Sequence, residues 1–502
     1  MKKKVIFWLS ADYTHYCLAY ALQRKYDCEM YGIPEVTGKP RQFFEKQKLV
    51  NFKKNLYLHD HIKNDHNQVD MEYLVQFEKK YEIDLWKLIQ NERIFLYFKN
   101  FHEFTSKEML SILEQECRFF EDVLEKIKPD MLFIKIPALH HQELFYQMCK
   151  NTGVFVQILT FAPIGYYSML TEDLSKLDHI ENVKDKNRSF EELQNFLYKF
   201  DLSKNIRDTS LKSENNVSNI LKSAGSFIFN SDSKNTRTHY TYYGRSKPKV
   251  LFFHLKDILL AKFRESHLNK ISKKEIDHLE QFVYFPLHVE IERTLLIGAP
   301  FYLNQIEIIK SVAKSLPINF KLYVKEHPSQ VLRAWRSSSE YKQIMDIPNV
   351  VLLHPNVSQK ELCEKCSLVF TIAGTTGFEA SFYGKPVIIF TDQYYSLLPS
   401  VRVLKNLEEL PRMIRESLTE KIGPSDLDKL VSLVEENICK FDYADFEMRY
   451  RNEFFYGGNL YDVEISESKM KSFLEKNIDT LNVLADEHVK KIKRRYGHKN
   501  SF

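Results

Sequence analysis

Three segments of this chain place polar side chains that could meet a ligand beside the ends of apolar runs. In the first, Leu368 to Phe390, an apolar run meets Gly374-Thr375-Thr376-Gly377 and continues with helical spacing through Glu379. Such a turn presents backbone N–H groups and two hydroxyls at a helix N-terminus, a receptive place for a phosphate. Glu379 falls in the first turn, within reach of ribose hydroxyls. The plainer alternative is that Thr375 or Thr376 caps the helix while Glu379 complements its dipole. The chain has only 14 glycines in 502 residues, less than half the usual ~7%. Two of them in one turn favour the phosphate reading.

The second segment is Phe320 to Pro328, a strand pattern ending in Lys325-Glu326-His327-Pro328. Proline fixes the turn and holds His327 extended. His327 can donate to a phosphate or a base, and Lys325 adds positive charge. His354-Pro355 ends the next strand too, so the dipeptide is informative only together with the Gly-Thr-Thr-Gly turn. The third segment, Tyr284 to Arg293, puts His288, Glu290 and Arg293 just beyond another strand, where a solvated loop is the competing reading.

Group transfer also needs a base or nucleophile and stabilisation of the departing phosphate. Asp12 and His15 follow the first apolar run. His140, His141 and Glu143 follow the run Met131 to Ile136. Glu172 and Asp173 follow Val154 to Thr160 at a greater distance. Asp12 and Glu143 are preferred as catalytic residues, although Asp12 could cap a helix and Glu143 could be a solvated helix residue. No metal site is expected: Cys363 and Cys366 are a close pair, but no second pair completes a zinc set.

The elements that must position these groups alternate. Lys4–Ser10, Cys28–Ile33, Met131–Ile136 and Val154–Thr160 read as strands between helical patterns at Tyr13–Tyr26, Ser106–Ile127 and Leu139–Asn151. Leu49–Asn100 is expected to form covering helices. Glu172–Lys249 is polar and reads as a helical insertion. Val250–Lys270 and Lys273–Gln281 are expected as helices. A second alternating set then runs from Phe282 to Phe390. Its helices include Arg333–Met345, and helices at Leu407–Thr419 and Pro424–Cys439 follow it. Ser466–Arg495 reads as one long helix. This pattern predicts parallel sheets with right-handed crossovers. The expected domains are residues 1–249 with a polar insertion near 172–249, residues 250–440, and a helical tail over 441–502.

Composition narrows the function. Apolar residues make up 44% and charged residues 28%, which excludes a disordered chain. A net charge of +5 on this length gives no sign of a nucleic-acid binder. There is no uncharged apolar run of ~18 residues to cross a membrane. The apolar run Val5–Leu9 is too short for a signal peptide. Seven scattered cysteines fit a reducing cytoplasm, where the sequon Asn216-Val217-Ser218 carries no weight. Lys490, Lys491, Lys493, Arg494 and Arg495 gather at the end of the last helix. They suit either the helix dipole or an anionic membrane surface.

In order, "FPLHVE", "KLYVKEHPS" and "IAGTTGFEASFYGKPVIIF" resemble bacterial capsule polysaccharide biosynthesis proteins of the Kdo-transferase type. The resemblance spans Phe282 to Phe390; the first lobe agrees in strand-helix order alone. It implies an α/β, GT-B-like fold: two Rossmann-like lobes, a central cleft and, here, a helical C-terminal tail. It implies transfer of an acidic sugar, Kdo- or sialic-acid-like, from a CMP-sugar to a surface polysaccharide or glycolipid acceptor. By that resemblance His327 and Pro328 contact CMP, Thr375 and Thr376 hold its phosphate, and Glu379 holds the ribose. Lys325 and Gly374 join the same nucleotide-binding set. No cofactor beyond the sugar nucleotide is implied. The expected location is the cytoplasm, at the inner face of the membrane. A UDP- or GDP-sugar donor, and a non-catalytic capsule assembly or export factor, remain as alternatives.

Overall fold

A computed structural model describes residues 2–63, 69–164, 167–180, 183, 186–199, 216–231, 239–330 and 336–497. The chain divides into two compact units. The first comprises residues 1–174, 199–250 and 437–502; the second comprises residues 175–198 and 251–436.

In the first unit the buried runs become strands β1 (Lys3–Leu9), β2 (Cys28–Pro34), β3 (Phe52–Asn55), β4 (Met131–Lys135), β5 (Phe155–Phe161) and β6 (Ser168–Thr171). The sheet order is β13-β6-β5-β4-β1-β2-β3. Strands β1 to β5 run parallel, while β6 and the late strand β13 (Ile438–Cys439) pair antiparallel at one edge. Winding reverses between β1 and β4, and ligands of such sheets bind beyond the carboxyl ends of the strands at that point.

The second unit is a six-stranded parallel sheet in the order β12-β11-β10-β7-β8-β9. Its strands are β7 (Gln281–Pro286), β8 (Phe320–Lys325), β9 (Val350–Leu353), β10 (Leu368–Thr371), β11 (Val387–Ile389) and β12 (Val401–Val403). This is the doubly wound order of dinucleotide-binding folds, with the reversal between β7 and β10. Its strands are short apolar runs buried on both faces, as parallel sheets require.

Several expectations are corrected. The polar insertion does not stay with the first unit: residues 175–198 join the second, where Arg188 pairs with the fully buried Asp428 and reaches Ser432 Oγ at 2.9 Å. The tail is not a separate domain. Residues 437–502 return to the first unit, where β13 pairs with β6 and the last helix packs on helix α1 (Thr14–Leu22). Burial of Leu481, Leu484 and Ile492 drives that return, at about 1.5–3 kcal/mol each relative to exposure. The expected single tail helix is broken at Asn477 into Glu467–Lys476 and Ile478–Tyr496. Residues 273–281 are not helical; Lys273 instead bridges to Leu353 alongside β9. The expected helix from Arg333 appears as Ser338–Met345, and its first three residues lie outside the described residues.

Candidate functional site

The second unit gathers the three sequence segments at the carboxyl edge of its sheet. Helix α2 (Ser106–Ile127) and helix α3 (His140–Asn151) belong to the first unit, and α4 (Lys247–Ile271) spans the change of units. The second unit then contributes α5 (Gln305–Ser315), α6 (Ser338–Met345), α7 (Gln359–Lys365) and α8 (Thr376–Ser381).

At the winding reversal His288, after β7, meets the turn after β10. The Thr371 hydroxyl lies 3.3 Å from His288 Nε2 and accepts the Gly374 N–H at 3.1 Å. The Ala373 N–H donates to the same ring nitrogen at 3.4 Å. Burial, with His327 and Arg336 nearby, pushes His288 down to about 3, so the ring is neutral. A Cβ on Gly374 would lie 2.7 Å from Thr371 Oγ1 and 3.0 Å from His288 Nε2. One on Gly377 would lie 2.8 Å from the Tyr395 hydroxyl. Close packing therefore explains both glycines, and their presence is not a signature of phosphate.

The hydroxyls speak differently. Neither threonine caps α8: Thr375, at the cap position, makes no side-chain capping bond. Its hydroxyl instead donates to Glu379 Oε1 at 3.4 Å, and Thr376 Oγ1 accepts from Gln359 Nε2 at 3.1 Å. Thr375 is exposed and Thr376 half-buried. Both stand where α8 leaves its first N–H groups without intrahelical partners.

Gln359, at the start of α7, joins the other segments. Its Oε1 accepts from the Tyr284 hydroxyl at 2.7 Å and from Lys325 Nζ at 3.4 Å. Lys325 is thereby aligned with Thr376 through one amide. The His327-Pro328 turn is held from below. Glu326, fully buried, accepts the His327 N–H at 2.7 Å, the Tyr341 hydroxyl at 2.8 Å and Arg336 Nε at 2.9 Å. Arg336 also pairs with Glu290 and donates to the His288 carbonyl at 2.7 Å. The Ser329 N–H donates to His327 Nδ1 at 3.1 Å, so a neutral ring carries its proton on Nε2. Half-buried His327 is thus a preset donor.

His288 and Glu290 therefore support the loop rather than stand free. Glu290 is committed to Arg336, and Gln305 clamps His288 through its N–H at 2.8 Å and carbonyl at 3.1 Å. Arg293 opens the one-turn helix Arg293–Leu296. Sequence reasoning missed Gln359, Arg336, Glu326 and Tyr284. Lys325-Glu326-His327-Pro328 contained a signal for Glu326, an acid inside an otherwise basic and polar strand end.

In the first unit, Asp12 lies beyond β1 and pairs with Lys135 at the end of β4, at the winding reversal. It also accepts the Thr14 N–H at 2.9 Å, the local role at the head of α1 that the sequence left open. Burial lowers Lys135 to about 8, although a third of its side chain remains exposed. Glu143, in the first turn of α3, accepts from Gln147 Nε2 at 2.8 Å and is buried. Asp173 pairs with Lys150 at 2.7 Å, and the Glu172 carbonyl accepts the Tyr146 hydroxyl at 3.0 Å. His15 is buried within α1.

His140 and His141 do not line an open site. His140 bridges Glu92 and Glu116, each at 2.9 Å, and His141 Nε2 meets Glu35 at 2.8 Å. The Tyr240 hydroxyl lies 2.9 Å from both Glu116 and His141 Nδ1. Burial opposes the charge on Glu35, but His141, Gln142 and Trp8 outweigh it and hold the carboxyl near 2.

The fold defines a class: two Rossmann-like α/β units, the second with a polar, hydroxyl-rich edge at its winding reversal. The family model for capsule polysaccharide biosynthesis protein matches residues 213–399, which contain every second-unit candidate described above. Over those residues the chain is similar to the capsule polysaccharide biosynthesis proteins that the motifs resembled. The search of curated proteins gave no match. Among solved structures, the chain is similar to Thermosulfurimonas dismutans KpsC, beta Kdo 2,7 transferase. Identity is 14% over 71% of this chain and 97% of that one, with a TM-score of 0.27. It is also similar to Neisseria meningitidis UDP-GlcNAc 2-epimerase bound to UDP-GlcNAc. There identity is 12% over 86% of this chain and 99% of that one, with a TM-score of 0.22. An S. aureus MnaA-UDP co-structure gives 13% identity over 93% of this chain and 100% of that one, with a TM-score of 0.24.

Proposed function

We propose that this protein is a glycosyltransferase of capsule synthesis that moves an acidic sugar, Kdo- or sialic-acid-like, from a CMP donor to a polysaccharide or glycolipid acceptor. The observation that carries the reading is the convergence of Lys325, His327, Thr375 and Thr376 at the carboxyl edge of the second sheet, with neither hydroxyl used as a helix cap.

In this reading Thr375, Thr376 and the N–H groups at the head of α8 receive the phosphate as charge grows on it. Lys325 adds charge through the Gln359 bridge. His327 donates its Nε2 proton to the nucleotide, with Pro328 fixing the turn, and Glu379 accepts ribose hydroxyls. Gly374 lets the chain approach His288 closely. Asp12, held by Lys135 at the first unit's winding reversal, acts on the acceptor or the anomeric carbon, with Glu143 as the second carboxylate. No cofactor is needed beyond the donor. The exposed Lys490, Lys493, Arg494 and Arg495 attach the protein to the inner face of an anionic membrane, where a lipid-linked acceptor is found.

The test is thermal stability and calorimetric titration with CMP, UDP and GDP. A ligand at 100 times its Kd stabilises by about 2.7 kcal/mol. Stabilisation by CMP over the other two is expected. A preference for UDP or GDP would reassign the donor, and silence with all three would leave a binding or assembly role.

A further inference from the structure

The first unit contains a polar cluster that the proposed transfer does not use. Glu116 from α2, His140 and His141 from the head of α3, and Tyr240 beyond residue 238 meet in the core with 0–2% exposure. The imidazole and carboxylate atoms of Glu116, His140 and His141 lie within 4.8 Å of one another. His140 Nε2 stands 2.9 Å from one Glu116 oxygen, and His141 Nδ1 stands 4.0 Å from the other. The Tyr240 hydroxyl lies 2.9 Å from both that second oxygen and His141 Nδ1. The outward nitrogens are each taken by a different carboxylate: His140 Nδ1 by Glu92 at 2.9 Å, and His141 Nε2 by Glu35 at 2.8 Å. Glu35 is itself fixed by Trp8 Nε1 at 2.8 Å and Gln142 Nε2 at 2.6 Å.

The structure assigns this cluster as a structural site for a divalent transition-metal ion of the zinc class, ligated by His140 Nε2, His141 Nδ1, the Glu116 carboxylate and the Tyr240 hydroxyl. Three features support it. Metal-bound imidazoles characteristically donate their other nitrogen to a carboxylate, and both histidines are oriented in this way. Ligand atoms around tetrahedral zinc stand roughly 3.3 Å apart, given bonds near 2.0–2.1 Å. The spacings here run from 2.9 to 4.8 Å and need only small rotamer changes to converge.

Charge is the third feature. Three carboxylates, Glu35, Glu92 and Glu116, are buried or nearly so, and among the described residues they are hydrogen-bonded by histidine, tryptophan, glutamine, tyrosine and backbone N–H groups. A divalent ion on two neutral imidazoles offsets two of these three charges, as two imidazolium protons would. It also replaces a single tyrosine proton shared between two partners. The donor set is nitrogen and oxygen without thiolate, which suits zinc and its neighbours rather than a soft-metal or cluster site.

Four protein donors close the first coordination shell, so the ion ties segments together and takes no part in transfer. It joins α2, α3 and the turn at Tyr240, with the ends of β2 and the segment at Glu92 as outer support. This departs from the expectation of no metal, since the cluster contains no cysteine and shares no residue with the proposed transfer site. The donors are 24 to 124 residues apart in the chain, apart from the adjacent histidines.

The test uses the untagged full-length chain. Metal content by mass spectrometry should show about one equivalent of bound zinc-class ion after exhaustive dialysis. Chelator-treated protein titrated with Co2+ should develop a tetrahedral visible absorption that Zn2+ abolishes, and Zn2+ should raise Tm by several degrees. The His140→Gln/His141→Gln variant should lose the Co2+ spectrum. Metal-free purified protein together with no Co2+ spectrum would overturn the assignment. So would a folded double variant that keeps the wild-type spectrum. If that variant fails to fold, the wild-type content and spectrum decide alone.

Discussion

The Lys325-Glu326-His327-Pro328 strand end divides labour between neighbours. Glu326 faces inward and bonds Arg336, Tyr341 and the His327 N–H, while the Ser329 N–H on Nδ1 places the proton of a neutral His327 ring on Nε2. The His327 ring and the brace beneath it give two opposite predictions. His327→Ala should leave stability near wild type and weaken CMP by about 1–3 kcal/mol, or roughly 5- to 150-fold in Kd. Calorimetry reads it, and unchanged affinity in folded protein would remove His327 from the site. Arg336→Met should destabilise by about 3–5 kcal/mol, because it strands Glu326 and Glu290 without their cation. A urea unfolding curve with a midpoint like wild type would show that those carboxylates find other partners. Thr375→Val with Thr376→Val should lower kcat at least about 10-fold while Tm hardly moves, since neither hydroxyl caps α8. A lowered Tm with kcat intact would return the pair to a purely structural role.

Elements were legible where hydrophobic periodicity alone decides them. The strands Lys3–Leu9, Phe320–Lys325 and Leu368–Thr371 are built on the apolar or β-branched runs Val5–Leu9, Leu322–Val324 and Leu368–Thr371, and each of those runs is buried in a parallel sheet. The edge strands were not legible. Phe52–Asn55 and Val401–Val403 are too short to display a period, and Ile438–Cys439 owes its strand state to β6. The motifs marked the second-unit edge, but its hub Gln359 and its brace Arg336 come from segments 34 and 10 residues away from their partners. Only the folded sheet brings them together.

The return of the tail created a further feature that no pattern announced. His15 of α1 and His488 of the last helix are buried in the apolar core, and both ring nitrogens of His488 have no partner among the described residues. Burial lowers His15 to about 3 and His488 well below its ordinary range. A depressed folded pKa means that the unfolded chain binds more protons once pH falls below ~6.5, so stability is lost on acidification. Each such histidine contributes a slope of about 1.4 kcal/mol per pH unit from there down to its folded pKa. His488→Leu should flatten the decline of unfolding free energy between pH 6.5 and pH 5. An unaltered slope would mean that His488 gains water or a partner in solution.

At the scale of the whole molecule, the buried tail changes how its basic end must be tested. Removing the last residues would also remove His488 and Ile492 from the first unit's core and confound attachment with unfolding. Charge reversal avoids this, because Lys490, Lys493, Arg494 and Arg495 are exposed while the opposite face of the helix is buried. Each cation near an anionic surface adds about 1 kcal/mol, so four hold a peripheral protein reversibly, and salt screens them. Full-length protein should sediment with vesicles containing phosphatidylserine at low salt and be released as salt rises. The four-site Glu variant should stay in the supernatant with its Tm unchanged. A second surface supplies the contrast. Phe252, Leu255, Leu259 and Phe263 form an outward stripe on α4, each at least 60% exposed. Their spacing of three and four residues sets them on one face. Sedimentation that ignores salt and survives charge reversal, but is lost with Phe252→Ser, Leu259→Ser and Phe263→Ser together, would move the membrane contact from the tail to α4.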